Sequence, residues 1–169
     1  KLLTLNCWGI PFVTPQKNRR ISAIIDAIKR GNWDIIALQE VWLKSDQDRI
    51  IENCGYEYSV VFKGRGRLLG SGLVLLSRFK ILDHDFHSFC VTGFPHRIFE
   101  GDFHTSKGVG YVLLQTPLGD IPVFLTHLIA KYSRRHEQDT NRVFRIAQIL
   151  ELLFYIRRMA APNGFVLCG

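Results

Sequence analysis

A chain of 169 residues with 47% hydrophobic content and 12 phenylalanines can bury a real core, which excludes a disordered chain, and has no room for two domains. Its formal net charge of +7, from 22 Lys and Arg against 15 Asp and Glu, favours an anionic partner such as nucleic acid, a phospholipid surface or a phosphorylated small molecule, without choosing among them. No apolar run is long enough to span a bilayer, since Ile146 to Ile156 is interrupted by Gln148 and Glu151; the four cysteines, Cys7, Cys54, Cys90 and Cys168, form no C-x-x-C pair, which argues against a zinc knuckle or a dense disulfide framework and for a reducing compartment.

The first element in the chain is a short strand, Leu2 to Asn6, that stops at Asn6-Cys7-Trp8-Gly9 before Pro11 and Pro15 force an irregular loop. Apolar residues from Ile21 to Ile28 then predict an amphipathic helix over Pro15 to Arg30, with Lys17, Arg19, Arg20, Lys29 and Arg30 outside and Gly31 ending it. Next comes Asp34 to Trp42. Its apolar run Ile35-Ile36-Ala37-Leu38 has no polar alternation, so it predicts a strand covered on both faces, ending in Glu40. Strand, helix and strand make a βαβ unit. Ser45-Asp46-Gln47-Asp48 reads as the N-cap and acidic first turn of a second helix that Gly55 closes.

Tyr56 to Phe62 and Leu73 to Ser77 read as strands joined through a basic glycine loop, Lys63 to Arg67, which lacks phosphate-loop spacing and is taken as a solvated hairpin connection. Lys80 to Cys90 is a further strand. His84 and His87, three apart, would face opposite sides of it and so could not share a metal without a bulge. Val91 to Lys107 is a long irregular connection of the kind that is more often functional than idle. Gly108 to Gln115 and Asp120 to Thr126 form a hairpin across Thr116-Pro117-Leu118-Gly119 and end at His127. Arg134 to Arg158 predicts a long helix with Val143, Ile146, Ala147, Leu150, Leu153 and Phe154 on its apolar stripe, and Phe165-Val166-Leu167 a final buried strand. With Lys1 in place of a methionine and Cys168-Gly169 directly after that strand, both ends read as cut.

Three strand ends thus carry Asn6, Glu40 and His127, and a parallel or mixed sheet would bring them to one rim, where layered α/β folds place their ligands. A glutamate with an asparagine suits magnesium, which takes oxygen ligands and keeps waters to share with a phosphate. A histidine nearby can hydrogen-bond a phosphoryl oxygen or transfer a proton. The combination points to phosphodiester cleavage. Equally open on the residues alone are a solvated loop glutamate and a strand-end histidine bonded to a neighbouring loop.

Taken in order, Leu5-Asn6-Cys7-Trp8-Gly9, Leu38-Gln39-Glu40-Val41-Trp42, Gly70-Ser71-Gly72-Leu73, Gly101-Asp102 with Lys107-Gly108, Thr126-His127-Leu128 and Leu167-Cys168-Gly169 resemble the neutral sphingomyelinases of the endonuclease/exonuclease/phosphatase superfamily. The resemblance implies an α/β fold, a four-layer α/β/β/α sandwich of the deoxyribonuclease-like type, incomplete at the C-terminus, with residues 1–169 the N-terminal part of a single catalytic domain. It implies Glu40 as the ligand of Mg2+, Asn6 and His127 as catalytic residues at the scissile phosphate, and Asp102 and Lys107 as a substrate-proximal pair. Its implied reaction is hydrolysis of sphingomyelin to ceramide and phosphocholine by an intracellular, membrane-associated enzyme whose membrane attachment comes from regions outside this chain. The family continues past Gly169 with an Asp-x-Asn motif and later an Asp-His pair that supplies the general base; without them the chain alone is expected to be inactive. Two other functions remain open: a nuclease or phosphoinositide phosphatase of the same superfamily, nucleic acid being the less favoured partner, and a non-catalytic module that binds anionic membrane through Lys17, Arg19, Arg20, Lys29 and Arg30.

Overall fold

The computed structural model describes residues 1–11, 14–64, 70–91, 106–131, 139–160 and 164–169. In chain order these form β1 (Leu2–Asn6), α1 (Lys17–Gly31), β2 (Ile35–Gln39), α2 (Lys44–Cys54), β3 (Tyr58–Val61), β4 (Val74–Ser77), β5 (Lys80–Ser88), β6 (Gly108–Thr116), β7 (Gly119–His127), α3 (Arg142–Met159) and β8 (Val166–Cys168). The strands make two sheets, ordered β1-β2-β4-β3 and β5-β6-β7-β8. In the first, β1 and β2 run parallel with Asn6 beside Gln39, as a βαβ unit requires, and β4 returns antiparallel to β2. In the second, β5, β6 and β7 are antiparallel and β8 adds parallel to β7.

The unalternating apolar run of β2 feeds two cores. Ile36 and Leu38 pack with Ile21, Ile24 and Ile28 of α1 and Ile50 of α2, whereas Ala37 turns inward to Leu75, Val112, Leu114, Val123 and Leu125 between the sheets. On the far side of the second sheet, Tyr111 and Phe124 lie under Leu152, Tyr155 and Ile156 of α3. The layers are therefore helices, sheet, sheet, helix: the α/β/β/α sandwich expected from the sequence.

Local differences have local causes. The first helix includes Gly31, and Asn32 takes the left-handed turn after it at φ 48°; a Cβ on Gly31 would collide with the Trp33 indole. The second helix starts one residue before the expected Ser45 cap, after an extended Leu43 without a side-chain cap, and Gly55 closes it at φ 72°. In β5 the register shifts between Ile81 and Asp83, yet His84 and His87 still diverge: His87 stacks on Tyr155 of α3 while His84 is exposed. All four cysteines are free thiols.

The largest correction concerns α3, described from Arg142 onward; residues 132–138, where its expected start falls, lie outside the described residues. Its buried face is Gln148, Leu152, Tyr155 and Ile156, while Val143, Ile146, Leu150, Leu153 and Phe154 point to solvent. The helix is apolar nearly all round, so periodicity does not select a face. Loop backbone selects it: the Gln148 side chain accepts the Ile129 N–H at 2.9 Å and donates to the Val91 carbonyl at 2.8 Å, satisfying polar groups that burial would otherwise leave unpaired.

The basic face of α1 is reduced in the same way. Lys17 is drawn into a largely buried ion pair with Asp46 of α2, and Arg20 folds over the Trp8 ring, 4.8 Å from its centroid, donating to the Trp8 and Pro15 carbonyls.

Candidate active site

Because β1 and β2 are parallel and in register, their C-terminal ends open at the same rim. The chain continues the pairing past both strands, with Cys7 N–H donating to the Gln39 carbonyl at 2.9 Å and Gly9 N–H to the Glu40 carbonyl at 3.0 Å. Glu40 and Trp8 hold left-handed backbones, φ 59° and 47°, a cost of order 1–3 kcal/mol each that persists where the surroundings over-determine it. Gly9 cannot carry a side chain, since a Cβ would meet the Glu40 carbonyl oxygen. The turn aims the Glu40 carboxylate across the rim.

Asn6 fixes that carboxylate. Its Oδ1 accepts the Trp8 N–H at 2.9 Å, which orients the amide, and its Nδ2 donates to Glu40 Oε1 at 2.7 Å. Glu40 Oε2 is buried without a hydrogen-bond partner. A buried carboxylate oxygen left bare costs about 1–3 kcal/mol or more, and a hard cation at that point would offset it; an oxygen donor set is what magnesium takes. The unpartnered Glu40 oxygen fits the chemistry of such an ion. Among the described residues no group of three or more His, Cys, Asp or Glu is arranged to hold a metal.

The second sheet brings His127, the last residue of β7, to the same rim, its Nε2 3.6 Å from Glu40 Oε1. Lys107, immediately before β6, is 2% exposed and places Nζ 2.9 Å from His127 Nδ1 and 3.3 Å from Nε2. An ammonium has only donors; within reach of both ring nitrogens at once, it lies against the imidazole and places its positive charge beside His127. Trp42 walls the pair, its ring centroid 6.3 Å from His127 and 5.6 Å from Lys107 Nζ.

Of the residues singled out in the sequence, Asn6, Glu40, His127 and Lys107 thus meet at one rim, while Asp102 lies outside the described residues. The partnership of Lys107 with His127 and the Trp42 wall were not foreseen; the only trace was Gly70-Ser71-Gly72, whose last glycine presses on that wall. Gly72 has φ 69°, and a Cβ there would lie 2.7 Å from the Trp42 ring. Gly72→Ala is expected to destabilise by about 2–3 kcal/mol, from left-handed strain plus overpacking, and a denaturant titration showing an unchanged midpoint would contradict this packing. Cys7, behind Glu40, is no nucleophile: burial first, and the Glu40 charge second, push its thiol up to about 12.

A two-sheet sandwich with a carboxylate, an amide and a histidine converging at one rim defines an α/β protein with a candidate site where its strands end. The chain belongs to the endonuclease/exonuclease/phosphatase family, whose model matches residues 3–169. It is 29% identical over 170 residues to human sphingomyelin phosphodiesterase 2, covering all of this chain and 40% of that protein. Against the inositol phosphosphingolipids phospholipase C of Schizosaccharomyces pombe it is 33% identical over 151 residues, 88% of this chain and 35% of that one. A Staphylococcus aureus beta toxin solved with bound magnesium ions superposes with a TM-score of 0.80 at 18% identity, over 98% of this chain and 61% of the toxin, a likeness of fold. The chain spans about two fifths of the length of these curated relatives, 40% of the human one.

Proposed function

We propose that this chain belongs to a magnesium-dependent phosphodiesterase of phospholipase C type that hydrolyses sphingomyelin or a related sphingophospholipid at a membrane surface. The observation that carries the reading is the bare, buried Oε2 of Glu40 on a rim shared with His127. Magnesium bound at Glu40 would neutralise charge developing on the phosphoryl oxygens. Asn6 keeps the carboxylate aimed at that point and holds its second oxygen. His127 is placed to donate a proton to a phosphoryl oxygen or to the departing ceramide oxygen, and Lys107 sets a positive charge beside its ring. The base that activates water is assigned to the part of the protein beyond this span, so residues 1–169 alone should not turn over.

The names of the relatives support a sphingolipid over nucleic acid, and leave phosphocholine and phosphoinositol head groups both in play. The test assays the full-length protein and the 1–169 span, with magnesium, on labelled sphingomyelin in detergent micelles, inositol phosphosphingolipid, phosphoinositide and abasic DNA. Turnover of a sphingophospholipid by the full-length protein, with none by the span, is the expected outcome. Preference for DNA or phosphoinositide would overturn the substrate assignment, and robust turnover by the span would overturn the placement of the base.

A further inference from the structure

We propose that the outward face of α3 is a docking surface for an anionic lipid bilayer. At about 100° per residue, Val143, Ile146, Leu150, Leu153 and Phe154 fall on the side of α3 opposite its buried Gln148, Leu152 and Tyr155. They are not incidental surface residues. Phe154 is 70% exposed and Val143 72%, and together they form a contiguous apolar crown of the kind that marks an interaction site. A helix laid beside α3 on the same sheet would cover its flank; the crown points directly away from the sheet and needs a partner outside the layered fold.

Charge identifies the partner. Arg142 at the start of the helix and Arg157 and Arg158 at its end are all exposed, and Arg157 lies on the crown itself. The helix has one acidic residue, Glu151, and it is turned to the body of the protein, where it accepts the Cys90 N–H at 2.9 Å and lies 3.5 Å from His87. The outward face therefore offers only apolar and cationic groups, the combination that favours contact with an anionic membrane surface. No helix among the described residues is long and apolar enough to cross a membrane, which leaves α3 lying along a bilayer rather than through it.

Its position relative to the rim agrees. Along α3 the contacts with the body climb from Asp85, which accepts from Tyr155, through Cys90 at Glu151, to Ile129 at Gln148, two residues past His127. The first residues of α3, with Val143 and Ile146 of the crown, consequently stand nearest the level of the rim. A bilayer seated along the crown would approach the candidate site at that end.

The test needs no turnover. The full-length protein is sedimented with phosphatidylcholine–phosphatidylserine vesicles free of sphingolipid, so that its outcome is separate from the substrate assay. Leu150→Glu with Phe154→Glu should lower the bound fraction constant at least about tenfold, with an unchanged circular dichroism spectrum. In a second variant, Phe154→Trp should gain fluorescence quenching by brominated lipid relative to the parent. Equal binding by parent and double variant, or no added quenching at position 154, overturns the proposal. So does loss of folding in the double variant, which would mean that the protein's own further chain covers the crown, and so does a parent dimer that the double variant dissociates, which would give the crown to a second copy.

Discussion

Glu40→Gln in the full-length protein is expected to lower turnover by about 10²–10³-fold or more, the scale of losing a preorganised electrostatic contact to the reacting centre, and to abolish the response of folding to magnesium. Glutamine keeps a carbonyl oxygen in place of Oε1, so the 2.7 Å bond from Asn6 Nδ2 and the left-handed turn at position 40 are both preserved. What changes is the buried oxygen that has no partner and the charge it carries. In the parent, magnesium at about a hundred times its dissociation constant should add about 2.7 kcal/mol of stability by linkage; in the variant that increment should vanish. The two readouts separate ion binding from catalysis. A variant that keeps the magnesium-dependent shift in melting temperature would remove Glu40 from the metal site whatever its turnover.

How far the sequence reached can be followed residue by residue. Asn6 and Glu40 were legible together because each depends on a local decision: the apolar run Ile35 to Leu38, without alternation, reads as a strand buried on both faces, and a helix between it and the short strand Leu2 to Asn6 makes the two parallel and aligns their ends. His127 needed one step more, the length of the β6–β7 hairpin, which the Pro117-Leu118 turn sets. The link from Lys107 to His127 was beyond reach. The two are 20 residues apart, and their contact depends on where the connection into β6 is pinned: Phe89 N–H donates to the Lys107 carbonyl at 3.0 Å and Ser106 N–H to the Gly70 carbonyl at 3.3 Å, bonds that no periodicity encodes. The face of α3 failed for the opposite reason. Its local pattern was strong but satisfied by either side, and two backbone groups of neighbouring loops, at Ile129 and Val91, drew Gln148 inward.

Lys107→Met is expected to lower stability and activity together, and Lys107→Arg to separate them. Lys107 is 2% exposed, with its ammonium 2.9 Å and 3.3 Å from the two ring nitrogens of His127. Removing one member of a buried polar group leaves its partners unsatisfied, at a cost of about 1–3 kcal/mol or more, so the methionine variant should unfold at a lower denaturant concentration than the parent. Turnover should fall by about 10²-fold, within the range set by acid–base contributions, because the variant loses the positive charge beside the histidine that faces Glu40. Lys107→Arg keeps that charge but must fit a larger group beside Trp42, so it should recover more of the turnover than of the stability. If Lys107→Met lost stability but turned over like the parent, the lysine would be a packing residue with no part in the site.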